Sequence, residues 1–128
     1  MTQDTNQKNF NLEERTAKFG EKIILFCKDL NQDTISKPLI SQLVRSATSV
    51  GANYMEANGA SSKTDFRNKI YICKKESQET KHWLRMLSSY FPEKKDQLRL
   101  LWGEVQELTL IFQKITNTLS NKGLKLEN

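Results

Sequence analysis

Glu79-Thr80-Lys81-His82 puts a carboxylate and an imidazole three residues apart, the Glu-x-x-His spacing with which carboxylate bundles aim two side chains of one helix at a metal ion. Such a centre needs a second motif of this kind and further inward-facing glutamates. This chain has a single histidine, and His82 projects away from the apolar face of its helix, so no metal and no other cofactor is expected. Cys27 and Cys73 fall on apolar helix faces without a His partner, which suits two small core side chains in a reduced protein rather than a nucleophile or a disulfide. Gly51, Gly59 and Gly103 stand alone, so there is no Gly-rich phosphate loop, and the Glu76/Glu79 pair has a spacing that helices produce constantly. The residues read as those of a non-enzyme.

The remaining charge is arranged in stripes. Lys63, Arg67, Lys74, Lys81 and Arg85 fall within roughly a 40° arc of one helical wheel, a continuous basic ridge able to follow phosphates and the candidate nucleic-acid-binding surface. A solvated helix face gives the same spacing, and Tyr71 at its margin is the one aromatic near the arc. A quarter turn from the core side of that helix, Ile72, Trp83, Met86 and Tyr90 form a second apolar stripe that one bundle does not require. Either the N-terminal lead and loops cover it or, the favoured reading, a second subunit does. Arg45, Ser49, Ala52 and Glu56 run beside the core face of the preceding helix. The two small residues allow a close approach, and Glu76, Glu79 or Lys69 would satisfy Arg45 and Glu56 in an ion-pair network that fixes helix register or subunit contacts. Arg45, Ser49, Ala52, Glu56, Ile72, Glu76, Trp83, Met86 and Tyr90 are thus the candidate oligomer interface.

Helices must position these stripes. The chain has 128 residues, the size of one domain, and a net charge of +5 that favours polyanions without the density of a packaging protein. Phe19, Ile23, Phe26, Cys27 and Leu30 recur at three and four residues after a polar lead, and Asn31-Gln32-Asp33 breaks this first helix. Ser36 and Pro38 open a second, with Leu39, Leu43, Ala47, Val50, Tyr54 and Ala57 inward and Asn58-Gly59 closing it. Ser61 or Ser62 caps a third, helped by Asp65, that carries Phe66, Ile70, Cys73, Ser77, Thr80, Leu84 and Leu87 inward over about 28 residues, roughly 42 Å. Pro92 starts the fourth, where Leu98, Leu101, Val105, Leu108, Phe112, Ile115 and Leu119 give the cleanest pattern, ended by Gly123. No stretch alternates with period two and the breaks are short, which predicts an all-α, antiparallel up-down-up-down four-helix bundle. The expected organisation is a frayed lead over 1–11, the bundle over 12–121 and a flexible tail over 122–128. No apolar run approaches the roughly 18 to 20 residues that cross a bilayer, and no secretory leader is visible, so a cytoplasmic, membrane-free protein is expected.

Gln42-Leu43-Val44-Arg45-Ser46-Ala47-Thr48-Ser49-Val50-Gly51-Ala52-Asn53 with Glu56, then Ser62-Lys63-Thr64-Asp65-Phe66, then Glu76-Ser77-Gln78-Glu79-Thr80 with Trp83-Leu84, resembles the four-helix-bundle proteins encoded within intervening sequences of bacterial 23S ribosomal RNA genes. The resemblance covers nearly the whole chain, from Phe19 to Leu119. It implies a left-turning bundle assembled into a ring-like homopentamer, with no established enzymatic activity. The family is similar in fold to the accessory variability proteins of diversity-generating retroelements, basic pentamers thought to bind nucleic acid and a reverse transcriptase, and this adds weight to the Lys63 to Arg85 ridge. Members often carry Glu-Gly and a basic residue where this chain reads Glu56-Ala57-Asn58-Gly59-Ala60, a turn of different shape and charge.

The expectation is a non-enzymatic homo-oligomer that binds RNA or DNA through phosphate contacts of the basic ridge, with little sequence readout. The alternative is a protein–protein interaction scaffold with no nucleic-acid role, in which the ridge only solubilises the helix.

Overall fold

The first three helices each begin where a side chain takes over backbone donors that a first turn leaves unpaired. The computed structural model describes residues 11–127, with side chains from residue 11 to 120, and contains α1 (Leu12–Lys28), α2 (Ser36–Asn58), α3 (Lys63–Tyr90) and α4 (Lys95–Glu127). The expected lead therefore lies outside the described residues, apart from Asn11. That residue opens α1, its Oδ1 accepting from the Glu14 N–H at 3.4 Å. Ser62 does the same for α3, accepting from Asp65 N–H at 3.0 Å, as its position in the sequence predicts.

The start of α2 is built differently from the expectation. Asp33, read as part of a break, is the cap: its Oδ1 accepts from the N–H groups of Ile35 at 2.9 Å and Ser36 at 2.8 Å. The buried Ser36 hydroxyl accepts from Asp33 N–H at 3.0 Å and donates to the Asn31 carbonyl at 2.9 Å. Two side chains thus close the α1–α2 connection reciprocally. Gly59 ends α2 at φ −97°, outside the left-handed conformation expected of a terminal glycine. Pro92 opens a 3-10 turn, Pro92–Lys94, that leads into α4. The fourth helix continues through Gly123 to Glu127, past the expected stop, since glycine inside a helix costs only about 1 kcal/mol relative to alanine.

The apolar spacings become the core. Phe19 and Ile23 of α1, Leu43, Ala47 and Val50 of α2, Ile70 and Cys73 of α3, and Val105, Leu108 and Phe112 of α4 are fully buried. Burial of each large aliphatic or aromatic side chain contributes about 1.5–3 kcal/mol. Phe66 and Ile115 are only half-buried, near the end of the bundle. Among the described residues there is no strand.

Cross-helix contacts fix the registers. Gly20 packs on Thr48, and a Cβ at Gly51 would stand 3.4 Å from the Thr16 backbone, so the glycines bring α1 and α2 close together. Between α2 and α3, Ser46 meets Thr80 and the Cys73 thiol faces the Val50 carbonyl at 3.7 Å. Tyr71 reaches Ser120 at 3.4 Å and Lys81 reaches Gln106 at 2.6 Å across α3 and α4. In every case positions rise along one helix as they fall along its neighbour, an antiparallel arrangement. No helix among the described residues is long and apolar enough to cross a membrane.

Candidate functional site

Helix α3 buries one stripe and presents a flank on each side of it, one against α2 and one against α4. On the α2 flank opposite charges meet. Arg45 Nη1 donates to Glu76 Oε2 at 3.0 Å, its Nη2 donates to Glu79, and its Nε donates to Gln42 at 2.9 Å. Glu76 is buried to 8% exposure, so without Arg45 its carboxylate would face the seam alone. Further along, Lys69 Nζ and Glu56 Oε1 pair at 3.1 Å. Beneath the charges, Thr80 Oγ1 donates to the Glu76 carbonyl at 2.8 Å and shares a 2.9 Å contact with Ser46 Oγ, both hydroxyls fully buried.

The candidate interface stripe is therefore largely engaged within one chain. Glu79 also accepts from Trp83 Nε1 at 3.3 Å, and the Trp83 ring meets His82 edge-on at a centroid distance of 4.8 Å. Tyr90 donates its hydroxyl to Asp33, so the end of α3 holds the cap of α2. The bond acts on both partners: donors from Ser36 N–H, Tyr90 and Ile35 N–H hold the Asp33 carboxyl below its ordinary value, and the carboxylate raises the Tyr90 phenol. Ala52 and Ile72 stay exposed, while Ser49 and Met86 are half-buried.

The α4 flank carries the basic ridge. Lys63 and Arg85 are exposed, and Arg67, Lys74 and Lys81 are half-buried along the seam. Lys81 Nζ donates to Gln106 and stands 5.4 Å from the centroid of the Trp102 ring, a cation–π distance. Beside it, Leu84, Arg85, Lys95, Leu98, Arg99 and Trp102 line a groove of about 320 Å³.

Lys95, Arg99 and Trp102 were not among the residues singled out from the sequence. Their spacing of four and three marks one face of α4 next to its core stripe, and that was the signal available. Which helix this face would meet depended on packing. The aromatic that the ridge lacked on its own helix comes from this neighbour.

Other chemistry recedes. Glu79 is turned to Arg45 and Trp83, and no group of three or more His, Cys, Asp or Glu among the described residues could hold a metal ion. Burial pushes the Cys27 thiol up to about 11 and the Cys73 thiol up to about 12, which leaves almost no nucleophilic thiolate at neutral pH.

Comparison with known proteins agrees with this architecture. The model of a family described as 23S rRNA-intervening sequence protein matches residues 8–114. A crystal structure of a protein with unknown function from the S23 ribosomal protein family of Bacteroides thetaiotaomicron is 28% identical, with a TM-score of 0.73 over 81% of this chain and 96% of that one. No curated protein matches the chain.

Proposed function

The chain belongs to the 23S rRNA-intervening sequence protein family, and we propose that it acts as a non-enzymatic, homo-oligomeric bundle that binds RNA or DNA along the α3/α4 face. One observation carries this reading. The ion pairs among the described residues engage Arg15, Lys18, Lys22, Arg45 and Lys69, whereas Lys63, Arg67, Lys74, Lys81 and Arg85, with Lys95 and Arg99 opposite, take none. Cations aligned without carboxylates release bound counterions when they meet phosphates, the main source of sequence-independent affinity. The ridge spans about 33 Å from Lys63 to Arg85 at 1.5 Å per residue. Lys81 keeps two of its three ammonium donors for a ligand after bonding Gln106.

Assembly would multiply weak contacts. In the homopentamer that the family resemblance implies, exposed Ala52 and Ile72 with half-buried Ser49 and Met86 supply subunit contacts, and the ridges of several copies act together. Arg45, Glu56 and Glu76 hold register within each subunit.

A second reading has its own observation. A groove of about 490 Å³ between α1 and α2 exposes Ile24 and Met55 beside Glu13, Glu14 and Glu21, a surface that repels phosphate and suits a basic amphipathic helix of a protein partner.

Salt titration separates the two. Affinity for a structured RNA or a DNA duplex should fall steeply with added salt, and Lys74→Glu with Lys81→Glu should weaken it about ten-fold or more while native mass spectrometry finds the same oligomer. Salt-insensitive binding unaffected by both substitutions would remove the nucleic-acid reading.

A further inference from the structure

We infer that the α3/α4 groove seats an unpaired nucleobase of a single strand against Trp102, with Arg85, Lys95 and Arg99 taking the adjoining phosphates. This rests on the nucleic-acid reading of the same face and specifies what that face selects. Trp102 is 40% exposed, which is unusual for an indole in a bundle with a full core, yet it is not a stray surface residue. The buried side chains of Leu84 and Leu98 lie beside it and the three cations complete the groove, with no carboxylate among the lining residues. An apolar aromatic bed ringed by positive charge is complementary to a base with its phosphates.

The volume, about 320 Å³, lies at the lower end of small-ligand sites, about 300–1,000 Å³, and fits one nucleotide unit better than a folded protein segment. A base pair inside a duplex cannot offer its flat face to an indole, so the ligand must be unpaired. Lys81 stands over the indole at 5.4 Å and is itself bonded to Gln106, so one cation is kept against the ring. The second tryptophan serves as an internal contrast. Trp83 gives its Nε1–H to Glu79 on the ion-paired flank, where Arg45 is already taken by two carboxylates and offers nothing to a phosphate.

Fluorescence anisotropy of labelled oligo(U) and oligo(dT), set against a duplex of matched length, tests this on the full chain. The wild-type protein should prefer the single strands, and Trp102→Ala should weaken them about ten-fold or more with duplex binding little changed. Trp102→Phe should keep most of the affinity while abolishing the quench of intrinsic fluorescence that oligo(U) produces. Circular dichroism of both variants checks the fold.

If Trp102→Ala binds oligo(U) as wild type does while Lys74→Glu and Lys81→Glu weaken it, base stacking is wrong and the phosphate reading stands. Equal affinity for polyglutamate and oligo(U) would likewise overturn stacking in favour of plain polyanion capture. If neither strand form binds, both readings fall.

Discussion

The two flanks of α3 start from similar material and end in opposite conditions. Toward α2, Glu76 and Glu79 meet Arg45 and Lys69 meets Glu56, so the charges cancel across a seam that buries Ser46 and Thr80. Toward α4, Lys81 meets Gln106 and Trp102 and Arg85 shares a groove with Lys95 and Arg99, so positive charge accumulates beside an exposed aromatic. The partner helix makes the difference. A charged flank becomes structural where its neighbour supplies the opposite sign and stays available where the neighbour supplies the same sign.

Glu76→Lys should break this contrast most severely. It sets an ammonium beside Arg45 at a position 8% exposed and should cost about 3–5 kcal/mol in chemical denaturation. Lys74→Glu, two residues earlier on the other flank, should stay within about 0.5 kcal/mol of wild type. Equal losses for the two would show that the seams do not differ as described.

Thr80→Val probes the buried hydroxyl pair and should cost about 1 kcal/mol, because Ser46 keeps only its 3.3 Å contact with the Leu43 carbonyl. A double-mutant cycle with Ser46→Ala should show coupling, and strict additivity would mean that the two hydroxyls do not interact.

The smallest effect belongs to the loop at the end of the neutralised flank. Hydrogen bonds from Ser36 N–H, Tyr90 and Ile35 N–H lower the folded-state value of Asp33, so its contribution is complete above the unfolded value of about 3.9 and is lost as pH falls through the lowered folded one. Asp33→Asn should lower the thermal midpoint slightly at neutral pH and flatten its fall into acid. An unchanged acid slope would move the titration to another carboxylate.

Much of the bundle was legible before the structure, and particular residues show why. Leu43, Ala47 and Val50, or Val105, Leu108 and Phe112, declare a buried face by spacing alone, and Ser62 with Asp65 announces a helix start within four residues. The basic ridge could be named for the same reason, since its residues share one wheel, whereas the partners of Arg45 stand on another helix and were named from opposite charge alone. Asp33 was harder: its role depends on a reciprocal bond with Ser36 and on Tyr90, far away in the chain.

The sequence by itself determined the helices, their inward faces and the two charged flanks, because helical periodicity is a local property of the backbone. Only the tertiary structure decided which of the possible ion pairs form on one flank and that the other gains Trp102, Lys95 and Arg99. That outcome depends on how each helix is rotated about its axis and slid along its neighbour, and the packing of all four apolar stripes sets both together.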